Sequence, residues 1–177
     1  MSGPNPGDST SSDLAETFDD ALRRLYQDLQ AEIARLAPVC DLSGRCCRFL
    51  EFDHTLFLSK PEADFLARNA PRPSRAPDEG ATCPWQDDRG LCQAREARPL
   101  GCRLFFCDPS YQDAMPILSE TYLRKLKQLT ARFQLPWDYA PLHVHLAQIT
   151  LPADDRADRN DLSTSDRSVS PNLPVVT

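Results

Sequence analysis

Apolar residues recur with helical spacing in two long stretches of the chain. The first stretch runs from residue 13 to residue 38 and has apolar residues at Leu14, Phe18, Leu22, Leu25, Leu29, Ile33 and Leu36. The second contains Leu118, Tyr122, Leu126, Leu129 and Phe133 and ends by Pro136. Steps of three and four residues place side chains on one helix face. Both stretches therefore predict amphipathic helices, the first opening on Asp13 and Glu16 as a capping pair.

Shorter elements are predicted between these helices. Residues 49–58 are rich in aromatic and branched side chains, which favours one or two short strands. In an extended chain one face would carry Leu50, Phe52, His54, Leu56 and Leu58. Ser59, followed by Pro61 and Glu62, has the form of a helix start with a capping box, so a short helix is expected from Ser59 to about Asn69. Residues 71–77 are predicted to form a loop.

The length and composition predict one small domain. The chain has 177 residues, 41% of them hydrophobic, with 16 prolines and 6 glycines. Residues 1–12 and 152–177 lack periodic apolar positions and are predicted to be disordered tails, which leaves residues 13–151 as the domain. The predicted fold class is mainly α with short β segments, a small helical domain with metal-binding cysteine-rich loops.

The charge balance is acidic, with 20 Lys and Arg against 26 Asp and Glu and a formal net charge of -6. Nucleic acids and anionic membranes recruit basic surfaces, so neither is an expected partner. The first residues show no basic segment followed by an apolar one, and no apolar run reaches the length of a membrane span. A cytoplasmic location is therefore expected.

Seven cysteines are the main chemical signal of the sequence. An odd number without a secretory signal fits poorly with a closed disulfide framework and favours metal or thiol redox chemistry. Soft thiolates prefer zinc, copper(I) or iron-sulfur clusters to magnesium or calcium, so zinc or iron is the expected cofactor. The predicted metal ligands are Cys40, Cys46, Cys47, Cys83, Cys92, Cys102 and Cys107. Burial of small apolar thiols is the alternative interpretation.

Seven thiolates exceed what one tetrahedral ion needs, so either two ions share them, or one four-cysteine site is complete and a second site has only three thiolates. Cys46 and Cys47 are adjacent, about 3.8 Å apart at Cα, whereas a disulfide prefers roughly 4.4 to 6.8 Å, so a bond between them would be strained. Gly44 permits a tight turn before this pair. The sequence Asp87-Asp88-Arg89-Gly90 predicts a turn that returns Cys92 to Cys83. Two arginines beside Cys102, Arg98 and Arg103, would offset thiolate charge or simply lie in solvent.

These residues resemble the CxxCxxCC cysteine-cluster family, also called YkgJ-like, whose members are described as zinc- or iron-chelating. The family pattern Cys-x-x-Cys-Gly-x-Cys-Cys corresponds to Cys40-Asp41-Leu42-Ser43-Gly44-Arg45-Cys46-Cys47. The later family pattern corresponds to Cys83-Pro84, Cys92, Arg98-Pro99-Leu100-Gly101-Cys102-Arg103 and Cys107. The resemblance covers residues 40–107. It implies zinc or iron binding, since members include zinc-binding proteins, iron-sulfur oxidoreductases and a flagellin lysine methylase.

Two departures from the family pattern bear on the site. Ser43 stands where the family has its second cysteine, and a neutral hydroxyl is a much poorer ligand than a thiolate. The hypothesis is therefore that one coordination position is open and could be filled by water, Asp41 or a histidine such as His54. Ala94 and Arg95 replace an aliphatic residue and a tyrosine, which affects local packing.

Two functions remain open at the level of sequence. One is a redox or metal-dependent enzyme, such as an iron-sulfur oxidoreductase with an unknown protein or redox partner. The other is a non-catalytic, zinc-stabilised interaction module. His143 and His145 would share one side of a predicted strand over residues 142–146, but ordinary strand amphipathicity, with the leucines buried and the histidines in solvent, explains them better than metal ligation.

Overall fold

The computed structural model describes residues 16–77 and 80–149. Within these ranges the fold is mainly helical, as predicted, with five α-helices and one two-stranded antiparallel sheet. The helices are α1 Phe18–Leu36, α2 Lys60–Asn69, α3 Leu100–Leu104, α4 Ala114–Arg132 and α5 Leu142–Leu146, and the strands are β1 Phe57–Ser59 and β2 Tyr139–Pro141. Single 3-10 turns occur at Arg45–Cys47 and Pro109–Tyr111. The two predicted tails lie outside the described residues.

Helix α1 begins later than the sequence predicts. Its N-cap is Thr17, whose hydroxyl accepts a hydrogen bond from the Asp20 amide at 3.2 Å. The Asp20 carboxylate in turn accepts a hydrogen bond from the Thr17 amide. The predicted pair of Asp13 and Glu16 does not cap it: Asp13 lies outside the described residues, and the Glu16 carboxylate pairs with Arg132 of α4 instead. Three-residue spacing alone does not distinguish these two candidate caps.

The other two predicted helices are confirmed. Ser59 and Glu62 form the predicted capping box of α2, which ends at Asn69, two residues before Pro71. Helix α4 ends at Arg132, before Pro136. It packs on α1 through the apolar faces that the periodicity predicted, and the residues buried there include Leu22, Leu29, Tyr122 and Leu126. These helices form the scaffold that carries the cysteine loops.

One of the one or two short strands predicted over residues 49–58 forms at the end of that segment, but the rest of the segment is not extended and does not share one face. Strand β1 covers only three residues, and Leu50 is 79% exposed although Leu58 is buried. The chain turns here because the Phe52 and His54 amides bond back to the carbonyls of Arg48 and Phe49 at 3.2 and 3.1 Å. Local turn bonds therefore replace a sheet ladder.

The prediction of a strand over residues 142–146 is also wrong, because these residues form helix α5. The helix buries His145 and leaves Val144 37% exposed, which reverses the expected strand pattern at these two positions, whereas Leu142 and Leu146 are buried as expected. The imidazole Nε2 of His145 lies 3.0 Å from the carbonyl oxygen of Leu58. This contact with the two-stranded sheet gives the buried ring a polar partner.

No helix among the described residues is both long enough and apolar enough to serve as a membrane span.

Candidate metal centre

The first cysteine loop is shaped by left-handed backbone at Leu42 and Gly44, whose φ values are 52° and 69°. Gly44 opens the 3-10 turn that carries the adjacent cysteines, and its carbonyl accepts a hydrogen bond from the Cys47 amide at 3.1 Å. The turn buries Cys47 and leaves Cys46 partly exposed. The predicted tight turn at Gly44 is therefore confirmed.

The second cysteine segment contains the predicted turn. Asp87 accepts hydrogen bonds from the amides of Arg89 and Leu91 at 3.0 and 2.8 Å, and Gly90 has a φ of 80°. Beyond the turn, Cys92 pairs with Gln86 in an antiparallel bridge. The chain thus folds back as a hairpin, which returns Cys92 toward Cys83.

The two loops are held together by backbone and by one buried amide. The Cys83 amide donates to the Cys47 carbonyl at 2.7 Å. The side chain of Gln86, which is 3% exposed, donates to the carbonyls of Gly44 and Gly90 at 2.9 and 3.0 Å. A Cβ at Gly44 would collide with the backbone carbonyl oxygen of Gly90 and lie 2.5 Å from Gln86 Nε2, so the approach requires glycine. The sequence analysis missed Gln86, because a single glutamine carries no pattern that marks it.

Five thiols interact within this junction, and we call Cys46, Cys47, Cys83, Cys92 and Cys102 the inner group. The Cys47 thiol interacts with those of Cys46, Cys83 and Cys92, and the Cys102 thiol interacts electrostatically with Cys46, Cys83 and Cys92. The sulfurs of Cys46 and Cys47 are 4.0 Å apart and unbonded, and all seven cysteines are free. The prediction that the adjacent cysteines form no disulfide is confirmed.

The hydrogen bonds within the inner group separate its thiols into two kinds. Bonding to Cys47 lowers the pKa of Cys46 to about 7 and the pKa of Cys92 to about 6. The same bonds raise the pKa of Cys47, and burial raises the pKa of Cys102. Two sulfurs therefore carry thiolate character near neutral pH, the form that binds metals.

Arg98 and Arg103 were predicted to offset thiolate charge, and they occupy different places. The charge of Arg98 helps to lower the pKa values of Cys46 and Cys92. The Arg103 guanidinium lies 4.1 Å from the ring centroid of Tyr26 and donates to the Arg98 carbonyl at 2.7 Å. Arg98 thus acts on the thiols, whereas Arg103 mainly supports the segment around it.

The remaining two cysteines, Cys40 and Cys107, are called here the outer pair. Cys40 is exposed and Cys107 is partly exposed. Their neighbours are tied together, since the Val39 amide donates to the Asp108 carboxylate at 2.8 Å. This bond brings the ends of the two cysteine segments near each other at the edge of the inner group.

All seven cysteines line a single cavity of about 70 Å³. Apolar side chains form most of the rest of its wall, including Leu56, Leu66, Trp85, Phe105, Phe106 and Leu142. Ser43 and Asp41, which were considered in connection with an open coordination position, also line it. The folded chain therefore gathers onto one cavity the cysteines that the sequence divides into two groups.

The histidines are engaged elsewhere. The Nε2 atom of His54 lies 3.4 Å from the carbonyl oxygen of Cys46, and its ring stacks on Phe105 with the centroids 5.6 Å apart. His143 lies against Gly80. In the part of the chain that the structure describes, no histidine lines the cysteine cavity. His54 therefore supports the loop backbone in this arrangement and does not take the position of Ser43.

The donor set suits a soft metal, although its side chains are not placed as a formed ligand shell in the described residues. Within residues 16–77 and 80–149, no three Cys, His, Asp or Glu side chains have the geometry of a formed metal site. The Cys46 and Cys47 sulfurs, 4.0 Å apart, are nevertheless close to the ~3.8 Å sulfur-sulfur edge expected for tetrahedral zinc with Zn–S bonds of about 2.3 Å. Small rotations of the side chains would suffice for this pair.

Comparisons with models of protein families, with curated proteins and with solved structures found no match. The resemblance to the CxxCxxCC family therefore depends on the cysteine, glycine, proline and arginine positions quoted above.

Proposed function

We propose that this protein binds a soft metal, either zinc or iron in an iron-sulfur cluster, through thiolates of the inner group. The single observation that carries the proposal is the cavity lined by all seven cysteines. Isolated buried cysteines have no reason to converge from three separate segments. Convergence of thiols is what a soft ion requires.

The electrostatics of the site support metal binding over simple packing. The lowered pKa values of Cys46 and Cys92 make deprotonation on binding easier, and Arg98 offsets part of the resulting negative charge. A bound zinc ion would supply cross-linking of the loops or Lewis acidity, and a bound cluster would supply electron transfer. The chain's own contribution is to hold the sulfurs together inside an apolar wall.

Of the two functional classes, a redox or metal-dependent enzyme is favoured by the cavity itself. A tetrahedral ion surrounded by four sulfurs needs no additional space, whereas a volume of about 70 Å³ exceeds that occupied by one water. Ser43, which replaces the second cysteine of the family pattern, lies at the same cavity and would leave a coordination position open to a substrate or redox partner. An iron-sulfur oxidoreductase is the enzyme class we propose.

A non-catalytic, zinc-stabilised module is the second candidate, and the loop junction favours it. The Cys83–Cys47 backbone hydrogen bond and the Gln86 side chain join two loops that share no helix or sheet. A metal bound there would cross-link the loops and stabilise the folded state. The family resemblance is compatible with both candidates. We propose a cytoplasmic location in either case.

Elemental analysis with an absorption spectrum tests the proposal on protein purified without oxygen from cells supplied with iron and zinc. Iron with sulfide and a visible band near about 400 nm would support the redox function. Stoichiometric zinc without colour, in a protein that unfolds on chelation, would support the module. Protein that contains neither metal and fails to bind either on reconstitution would contradict metal binding altogether.

A further inference from the structure

Glu62 is a buried carboxylate of α2 that accepts hydrogen bonds from α1 and α3 as well as from its own helix. It is 1% exposed. One oxygen accepts hydrogen bonds from the Tyr26 hydroxyl at 2.7 Å and the Leu100 amide at 2.8 Å. The other accepts from the amide and the hydroxyl of Ser59, both at 3.0 Å. These bonds satisfy the buried oxygens and link α1, the start of α2 and the start of α3.

Helix α3 depends on this carboxylate because it has no local cap. It is five residues long and follows Pro99, which offers no capping side chain. Helices this short are unstable in isolation, and their first amides need partners. The Leu100 amide finds its partner in Glu62, so the position of the α3 start is set from another helix.

Helix α3 carries Cys102, and Tyr26 also contacts this helix, through the side chain of Arg103. The Tyr26 ring lies under the Arg103 guanidinium, which in turn donates to the carbonyls of Arg98 and Glu96 at 2.7 and 2.5 Å. Burial raises the pKa of Tyr26, so its hydroxyl stays protonated and donates to Glu62. The two side chains thus hold both Cys102 and Arg98, whose charge acts on the inner group.

We propose that Glu62 and Tyr26 are positioning residues of the candidate metal centre, which place Cys102 in the inner group through the Leu100 amide and the Arg103 guanidinium. The effect on metal binding rests on the proposed function. The effect on the position of the Cys102 thiol does not depend on metal binding and is measured separately. Neither residue lines the cysteine cavity, and their hydrogen bonds reach the Leu100 amide and not a sulfur, so both act through α3.

Tyr26→Phe and Glu62→Gln test the role, with Tyr122→Phe as the matched control. Tyr122 is also a fully buried tyrosine whose hydroxyl donates to a glutamate, Glu32, at 2.7 Å, but it lies on α4 and does not line the cysteine cavity. Two measurements are made on the full chain. One is alkylation of Cys102 by mass spectrometry of metal-free protein, with exposed Cys40 as internal reference. The other is titration with Co²⁺, whose thiolate absorption reports the number of bound sulfurs.

Tyr26→Phe and Glu62→Gln are expected to raise Cys102 labelling relative to Cys40 severalfold and to weaken Co²⁺ binding about tenfold, with a weaker thiolate band. Tyr122→Phe should change neither. Unchanged labelling and an unchanged spectrum, or equal changes in Tyr122→Phe, would overturn the positioning role. If wild-type protein binds neither cobalt, zinc nor a cluster, the proposed function fails, and the labelling comparison alone still decides the role of Glu62 and Tyr26.

Discussion

The inner group and the outer pair of cysteines differ in what holds them. The inner group lies where two loops are joined by backbone hydrogen bonds, by the buried Gln86 amide and by a hairpin turn. The outer pair is associated through one bond between neighbouring residues, from the Val39 amide to the Asp108 carboxylate. Cys40 is close to Cys46 in sequence yet exposed, whereas Cys92 is far away and interacts with Cys47. Spacing along the chain therefore does not decide which thiols interact.

The largest effect is expected from Gly44→Ala, which acts on the junction of the inner group. The new Cβ would collide with the backbone carbonyl oxygen of Gly90 and lie 2.5 Å from Gln86 Nε2, in left-handed backbone with a φ of 69°. Strain and overpacking together should cost about 2–4 kcal/mol of the free energy of unfolding. Urea denaturation measures this loss, and alkylation should show the inner thiols exposed while Cys40 labelling stays as in wild type.

Gly90→Ala is the control for backbone strain without a clash. Its φ is 80°, but the nearest atom to a new Cβ, Gln86 Nε2, lies 3.8 Å away. This variant should lose only about 1 kcal/mol. Equal losses in the two variants would mean that the close approach of the loops at Gly44 does not matter, and the distinction between tightly and loosely held thiols would weaken.

A comparison of Cys47→Ser with Cys40→Ser tests whether the two sets of thiols differ as ligands. Cys47 interacts with three other thiols, so its loss should weaken metal binding by roughly 100-fold or more, given that even indirect partners are worth about 10–100-fold. Cys40→Ser should weaken it by less than about tenfold, since one tetrahedral ion needs four of the remaining thiolates. Competition with a chromophoric chelator measures both affinities. Equal losses would place Cys40 among the essential ligands.

The smallest effect is expected from Asp87→Asn, which removes the charge that stabilises the turn between Cys83 and Cys92. The Leu91 amide, followed by the amide and guanidinium of Arg89, holds the pKa of Asp87 below its ordinary value of 3.8. A lowered folded-state pKa means that the stabilisation is present above pH 3.8 and is lost as the pH falls through the folded-state value. Thermal unfolding should therefore show Asp87→Asn less stable than wild type at pH 7, with the difference shrinking below pH 4.

Asp88→Asn is the matched control for this turn, because Asp88 is the adjacent, exposed acid. Its stability difference from wild type should stay small at both pH values. A difference for Asp87→Asn that persists unchanged into acid would show that the charge of Asp87 does not hold the hairpin.

Sequence periodicity predicted the scaffold because helices are local structures. The apolar spacing of α1 and α4 and the capping box of Ser59 and Glu62 each depend on residues a few positions apart. The same reasoning failed over residues 49–53, where turn bonds within five residues outweigh the alternating pattern, and at residues 142–146, where a helix buries His145. Alternation over five residues is too short to distinguish a strand from one turn of helix.

The amino-acid sequence by itself determined the mainly helical class, the turns at Gly44 and Gly90 and the supply of seven thiols, because dihedral preference, capping and donor chemistry belong to individual residues and their near neighbours. Only the tertiary structure decided that Gln86 bridges the loops, that Glu62 caps a helix 38 positions further along the chain, and that five thiols interact while two lie at the edge. These contacts join distant segments. They are necessary because a buried polar group needs a hydrogen-bond partner, and these groups become buried only when the chain folds.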